Sequence, residues 1–240
     1  MYYYKFKGNP LETAYHPTPR TTPTRYRERA RYDREIVHRV LDESLICHLA
    51  YLSAGRPVVL PTTHARLDET LYLHGSTGSG PMLAAKAAPS GLPVCVTATL
   101  VDGLVLARSA LHHSLMYRSV VVVGDARVVE DPAEKLRALH SLLDHIAPGR
   151  ATDCRTPNAR ELAATAVLAL DLVEVSAKVR SGGPVDEPED CTLPHWAGVV
   201  PLSLTGGAPV PADDLDPTTP VPPYLTGYSR QVNGYSNRYR

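Results

Sequence analysis

The chain has 240 residues, with 25 basic and 25 acidic side chains and a formal net charge of zero. A chain of this length buries enough surface on folding to need no disulfide or structural metal. The balanced charge offers no basic surface, so nucleic acid is not an expected partner and any anion site must be built locally. No apolar run reaches the roughly 20 residues of a membrane helix, and the N-terminus lacks the apolar segment of a signal peptide. We therefore expect a cytoplasmic protein that does not bind a membrane.

The four cysteines lack the spacing of a metal site, since none lies two to four residues from another. They are Cys47, Cys95, Cys154 and Cys191. Each falls in or beside an apolar run, which favours buried free thiols in a reducing compartment. No metal is expected.

Composition divides the chain into three regions. Residues 1–24 are rich in Tyr, Thr, Pro and Arg and show no apolar period, which predicts an N-terminal arm that is ordered only against a partner. Residues 25–205 carry the periodic apolar segments and form the expected domain. Residues 206–240 are rich in proline, which predicts a disordered tail.

The first half of the domain changes from a helical period to a strand period. Asp33 can cap a helix whose apolar residues recur on one face. Strands are predicted over residues 45–52, 58–65 and 70–74. Pro61 cannot donate a hydrogen bond to a neighbouring strand, so its side of the second strand is expected to be an edge or a bulge.

The second half continues with strands separated by helices. A helix is predicted over 82–88, a hairpin around Asp102 and Gly103, and a long strand over 117–130 with a bulge at Gly124. Further helices are expected after Asp131 and Thr156, and a last strand over 167–179. Helices inserted between antiparallel strands favour a mainly β fold, an antiparallel barrel with peripheral helices, over a doubly wound sheet.

Three stretches carry candidate chemistry, and the first is a turn of small residues that runs from His74 to Pro81. It follows a strand and leads into a helix start. Its glycines allow a ligand close to the backbone, Ser76, Thr77 and Ser79 supply hydroxyls, and the helix N-terminus adds partial positive charge. The segment is neither a Walker loop nor a dinucleotide fingerprint. It is either a phosphate site or an ordinary capped turn.

The second stretch, Tyr117-Arg118-Ser119, leads into a run of valines. Alternation along a strand places Arg118 and Val120 on one face and Tyr117 and Ser119 on the other. An arginine at the head of an apolar strand needs an anionic partner, which is either a ligand or an Asp or Glu side chain.

The third stretch holds Trp196, the only tryptophan, in a proline-rich segment. An indole ring has much apolar area to bury. Trp196 therefore either seals the core or acts as a lid over a planar aromatic ligand.

Together these stretches resemble the pyridoxamine-phosphate-oxidase-like flavin-binding split-barrel superfamily, over residues 25–204. The similarity is to its branch of flavin-nucleotide-binding proteins that includes nitroimidazole-resistance-type reductases. It depends on Leu73-His74-Gly75, on Tyr117-Arg118-Ser119-Val120 leading to Gly124, and on Trp196-Ala197-Gly198-Val199. The resemblance implies a six-stranded antiparallel split β-barrel and a homodimer with flavin mononucleotide (FMN) at the subunit interface. Deazaflavin and haem are alternative cofactors.

The resemblance also implies roles for residues of this chain. Its cofactor contacts would be Pro61, Thr62, His74, Ser76, Thr77, Ser79, Tyr117, Arg118, Ser119 and Trp196. Ser76 and Ser79 would meet the phosphate, and the strand around Pro61 would run beside the flavin ring. His74 would be either a catalytic proton donor near the flavin or a wall of its pocket. Gly80-Pro81 and Met116 depart from the pattern, because relatives often carry a basic residue after the turn and a polar residue before Tyr-Arg-Ser.

The implied function is a flavin-dependent oxidoreductase that passes electrons from NAD(P)H to a small acceptor such as a nitro compound or a quinone. The rival function is a non-catalytic flavin- or haem-binding carrier or sensor. A third possibility is a structural dimer with a vestigial pocket.

Overall fold

The structure is a computed structural model that describes residues 12–230, without the side chains of residues 229–230. Within this range four α-helices span Arg34–Glu43 (α1), Gly80–Lys86 (α2), Pro132–Ile146 (α3) and Ala159–Ala164 (α4). The strands are Ala30–Arg31 (β1), Ile46–Ser53 (β2), Arg56–Leu67 (β3), Thr70–Ser76 (β4), Leu92–Leu106 (β5), Ser114–Val128 (β6), Thr165–Asp171 (β7), Glu174–Arg180 (β8), Gly198–Pro201 (β9), Leu204–Thr205 (β10) and Ser229–Arg230 (β11). None of these helices has the length and apolar character needed to cross a membrane.

Six strands close into a ring in the order β2-β3-β4-β7-β6-β5. The ring closes because β5 pairs with both β2 and β6, and β6 reaches β7 through Arg127 and Val128. All these pairings are antiparallel. The predicted mainly β fold with peripheral helices is confirmed.

Alternate strand residues face the inside of the ring. On β6 the side chains of Met116, Arg118, Val120 and Val122 are buried, and the residues that alternate with them are partly exposed. The predicted helix after Asp33 is α1, whose buried Val37, Val40 and Leu41 join the same core.

The ring is open along one strand edge. Within residues 12–230, β3 pairs with β4 only over residues 64–67, and its residues 56–63 pair only with β2. Strand β4 pairs with β7 over its whole length, Thr70–Ser76, but leaves β3 after Leu73. The prediction of an edge at Pro61 is therefore confirmed, and a stretch of β3 backbone has one edge that no other strand covers.

The predicted hairpin turn and the predicted bulge at Gly124 are both wrong. Strand β5 runs without interruption through Asp102 and Gly103, and the register shift there is a bulge in one long strand. Asp102 reads as a turn residue in the sequence, but its buried side chain pairs with Arg118. Gly124 is not a bulge, because it pairs in register with Val94. A Cβ there would lie 3.0 Å from Leu170 Cδ1, so close packing explains the glycine.

The strand predicted over 167–179 is two strands with different neighbours. It bends at Leu172 and Val173. The first part, β7, pairs with β4, while β8 pairs with β6 and β1. Leu172 is buried, and its amide donates to the Glu69 carbonyl at 2.7 Å.

The described parts of the predicted arm and tail lie against the same chain. Tyr15 is 4% exposed, and its hydroxyl donates to Glu69 at 2.8 Å. In the tail, the Tyr228 hydroxyl donates to the Ile146 carbonyl at the end of α3. Parts of residues 12–24 and the tail residues Tyr224 and Tyr228 therefore have contacts without a partner chain. The rest of both predicted regions, 1–11 and 231–240, lies outside the described residues.

The cysteines are not all buried, although the sequence predicts buried thiols at all four positions. All four are free, but only Cys47 is buried, whereas Cys191 is exposed. Burial raises the pKa of the Cys47 thiol to about 12, which keeps it protonated and unreactive.

Candidate functional site

The small-residue turn between β4 and α2 is held by its own hydrogen bonds. The Ser79 amide and hydroxyl both donate to the Ser76 carbonyl at 2.9 Å, and the Gly78 amide donates to Ser76 Oγ at 3.3 Å. The Thr77 amide donates to Ala164 O. The turn is thus ordered by its own hydrogen bonds, although the Ser79 side chain does not cap α2, and it presents hydroxyl groups at the start of that helix.

The first turn of α2 supplies few additional donors. Pro81 has no N–H, so the free amides at this end belong to Gly80 and Met82, for which residues 12–230 provide no acceptor. A short helix start of this kind attracts an anion only modestly. A phosphate bound here would depend on hydroxyls and amides rather than on a formal charge.

His74 lies on the outer face of β4 and is exposed. The surrounding protein partly desolvates the ring, which lowers its pKa from the ordinary 6.5. The described residues offer it no hydrogen-bond or ion-pair partner. The ring is therefore neutral at neutral pH, and both nitrogens are available to a ligand.

Tyr51 connects the turn to the open edge of β3, and we call the region around it the opening. A Cβ at Gly80 would lie 2.8 Å from the Tyr51 hydroxyl, and Tyr51 pairs directly with Val58 of β3. On the open stretch of β3, Pro61 is exposed and Thr62 is half-buried. Tyr51 thus links the predicted phosphate turn to the stretch of β3 that carries Pro61 and Thr62.

The Arg118 side chain does not face this opening. Its side chain is 3% exposed and points into the ring, where Nε and Nη2 donate to the two carboxylate oxygens of Asp102 at 2.8 and 3.0 Å. Nη1 lies 2.7 Å from Glu43 Oε2. The prediction that Arg118 contacts the cofactor is wrong, because two carboxylates already surround its guanidinium. The salt-bridge alternative is the correct one.

Tyr117 and Ser119 point to the opposite, outer face, as the alternation predicts. There Tyr117 faces Arg180 and Ser119 faces Lys178 across the β6–β8 pairing. Arg180 Nη1 also reaches the Leu115 carbonyl at 3.3 Å. Sequence reasoning missed these two cations, although their spacing of two residues within a strand places them on one face.

Trp196 does not seal the core. Its side chain is 66% exposed, and the ring lies over Gly198, where a Cβ would approach ring carbons to 2.9 Å. The loop before it is anchored by Asp186, which accepts from the Arg108 amide at 2.9 Å and from its guanidinium at 3.0 Å. The role of Trp196 as a lid stays a prediction.

Apolar side chains are exposed across the outer face of the sheet that β3, β2, β5, β6 and β9 form. Their exposed fractions run from 39 to 64%. They are Ile46, Leu52, Val59, Val101, Leu115 and Val200. A surface of this kind marks a binding face.

With this geometry in place, comparison with known proteins identifies the family. Residues 33–179 match the family model described as pyridoxamine 5'-phosphate oxidase. This chain belongs to the pyridoxamine 5'-phosphate oxidase family. No curated protein matches the sequence.

Two solved structures resemble this family member over most of its length. The flavocytochrome Anf3 from Azotobacter vinelandii is 36% identical, with a TM-score of 0.81, over 88% of this chain and 97% of that one. The FAD and haem binding protein from Mycobacterium smegmatis is 37% identical, with a TM-score of 0.78, over 85% and 99%. A candidate 5-nitroimidazole antibiotic resistance protein from Bacteroides thetaiotaomicron is 22% identical, with a TM-score of 0.52, over 61% and 84%, which supports the fold alone.

Proposed function

We propose that this chain is a flavin-dependent redox protein whose flavin lies at the opening between β3 and the turn before α2. The observation that carries the proposal is the uncovered edge of β3 over residues 56–63. A flavin ring is a planar apolar surface with a row of polar atoms along its edge. A free strand edge beside apolar side chains complements both features.

Different residues at this opening bind different parts of the flavin. The exposed Val59 contacts the ring, and the backbone of β3 bonds its edge. At Pro61 only the carbonyl takes part, since proline has no N–H. Ser76, Thr77 and Ser79 receive the phosphate with their hydroxyls, without help from Arg118.

We propose FAD as the flavin, with FMN as the alternative. The M. smegmatis protein, 37% identical over nearly its whole length, is named for FAD. The turn also has no cationic side chain that could pair with a single terminal phosphate, which is the phosphate that FMN carries. Release of the bound flavin by heat, followed by chromatography against both standards, distinguishes the two.

A bound flavin would supply hydride acceptance and electron transfer, and the chain would position it and exclude water. We propose that electrons come from NAD(P)H and pass to a small acceptor such as a nitro compound or a quinone. His74 is the candidate proton donor, because it lies beside the turn and desolvation lowers its pKa, so that its imidazolium form would give up a proton readily. A carrier without catalysis is the competing function.

A second candidate, haem binding, is favoured by the names of both relatives and by the geometry of His113. Its Nδ1 donates to the Ser109 carbonyl at 3.0 Å. The exposed Nε2 is left with its lone pair, an arrangement common for metal-ligating histidines. Exposed Leu111 and Leu115 flank it and suit an apolar macrocycle. We propose His113 as the candidate axial ligand.

We also propose a homodimer, in which a second copy covers the exposed apolar face of the sheet. Sedimentation of the purified protein tests this. A monomer at all concentrations would contradict it.

The test of the main proposal is the absorbance of the purified protein. Peaks in the blue and near ultraviolet indicate flavin, and an intense violet band indicates haem. Rapid mixing with NADH or NADPH should bleach the flavin if the protein is an enzyme, whereas a carrier should stay oxidised. A colourless protein whose melting temperature ignores added FAD and FMN would refute the proposal.

A further inference from the structure

Three cations gather around one tyrosine on the side of the sheet that β8 and β1 form, and a fourth lies nearby on β8. The Tyr26 ring, 49% exposed, has the guanidinium of Arg29 at 4.0 Å, that of Arg25 at 5.3 Å and the Lys178 ammonium at 5.9 Å. We call these residues, together with Arg180, the Tyr26 cluster. Tyr26 has a φ of 55°, in the left-handed region that aromatic residues rarely adopt.

Strand pairing holds the cluster together. Ala30, next to Arg29, pairs with Lys178. Arg180 lies two residues further along the same face of β8 and faces Tyr117. The cluster is therefore continuous with Tyr117 and Ser119 on the outer face of β6.

Carboxylates do not balance this charge. Glu28, 70% exposed, lies 3.9 Å from Arg29 Nε. Arg25, Lys178 and Arg180 form no salt bridge with any described residue. Burial, and then the charge of Arg29, lower the pKa of the Arg180 guanidinium, as expected where cations face one another without an acid between them. In a chain of zero net charge, this is a local positive surface.

We propose that the Tyr26 cluster binds the phosphate groups of a nucleotide that serves the redox site, an inference that depends on the proposed function. Several cations around a ring match a diphosphate, because each oxygen can meet a separate donor. The half-exposed tyrosine ring offers a surface for a base to stack on. Arg25, Tyr26, Arg29 and Arg180 lie outside residues 33–179, the segment that the family model matches. Four of the five cluster residues thus lie outside the segment that the family model matches.

Two sources share this chemistry, the phosphates of NADPH and, if the turn before α2 does not hold it, the diphosphate of FAD. Titration calorimetry of the purified protein at low salt, with inorganic pyrophosphate as the probe, tests the site itself. We expect saturable binding that weakens as salt rises. Lys178→Gln and Arg25→Gln should each weaken it by about tenfold, the loss of one charged hydrogen bond.

The matched control is Arg155→Gln, which removes an exposed arginine paired with Glu161 outside the cluster. It should leave pyrophosphate affinity unchanged. Arg25 is exposed and precedes the strands, so its variant folds even if Lys178→Gln does not. Weaker retention of FAD in the cluster variants identifies the flavin as the source. A higher KM for NADPH with unchanged flavin content identifies the nicotinamide nucleotide.

The proposal fails if pyrophosphate gives no saturable heat at millimolar concentration, or if control and cluster variants bind it equally. Failure of the proposed function is a separate result. A colourless protein whose pyrophosphate and NADPH affinities still depend on Lys178 would refute flavin binding and leave the phosphate site standing.

Discussion

Arg118 and the Tyr26 cluster use the same kind of side chain on the same pair of strands in opposite ways. On β6, Arg118 points inward and meets Asp102 and Glu43. On β8, Lys178 and Arg180 point outward and meet no carboxylate among the described residues. One step along a strand reverses the face. The face, more than the residue type, decides whether a cation stabilises the fold or is available to a ligand.

The energetic consequence differs as well. A buried guanidinium is tolerated only if its carboxylate partners are present, since removing one partner leaves an unpaired charge in the interior. Exposed cations repel one another weakly and tolerate substitution. Substitutions in the two regions should therefore differ in their effect on the free energy of unfolding.

The largest effect is expected for Arg118→Met. It leaves Asp102 and Glu43 buried without their cation, which should lower the free energy of unfolding by about 3–5 kcal/mol. Urea denaturation followed by circular dichroism measures it. Arg155→Met, which breaks an exposed pair, should cost less than about 1 kcal/mol.

The double variant Arg118→Met with Asp102→Leu sharpens this comparison. Removing both charges of the bidentate pair should recover part of the loss. If Arg118→Met alone is as stable as the wild type, the buried pair has no structural role and the contrast between the regions disappears.

The next largest effect concerns the turn before α2. Ser76→Glu with Ser79→Glu places two carboxylates where the phosphate is proposed to bind, so flavin affinity should fall by at least about tenfold. The absorbance of equal amounts of purified protein checks this. Ser90→Glu, an exposed serine in the next turn, should keep its colour. If the double variant keeps its flavin, the phosphate binds elsewhere, and the Tyr26 cluster is the first alternative site.

A smaller effect is expected for Trp196→Ala. An exposed ring adds little to stability, but as a lid it would stack on the flavin with about 0.5–1.5 kcal/mol. Flavin affinity should drop roughly 2–10-fold, with an unchanged melting temperature. Since Trp196 is the only tryptophan, its emission in the wild type should be quenched when flavin binds. Unquenched emission would exclude the lid.

The smallest effect is the pH dependence of stability that His74 contributes. Its folded pKa is lowered by desolvation, so below about pH 6.5 the unfolded chain binds a proton that the folded chain resists. Stability from this group is complete above that pH and falls as the pH decreases. His74→Gln should flatten the decline between about pH 7.5 and 5.5.

His38 contributes in the same direction, because burial and the Arg66 charge lower its pKa. His38→Gln is therefore the matched comparison. Proton NMR titration of His74 should give a pKa below 6.5, and a higher value would contradict this account.

Local patterns in the sequence were sufficient for many elements. The apolar period predicted α1, and Asp131 predicted the start of α3, where it accepts from the Ala133 and Glu134 amides. The missing N–H of Pro61 predicted the edge of β3, and alternation placed Tyr117 and Ser119 on the outer face. These features depend on neighbouring residues or on strand period alone.

Contacts between distant segments were not visible in the sequence. Asp102-Gly103 has the residue types of a hairpin turn but forms a bulge. The local sequence does not show that Arg118, sixteen residues away, pairs with the Asp102 carboxylate. Likewise, β1 brings Arg29 beside Lys178 across almost 150 residues. The sequence by itself determined the fold class, the family resemblance and the faces of the strands, because periodicity encodes them. Only the tertiary structure decided which charges meet, because pairing depends on strand register.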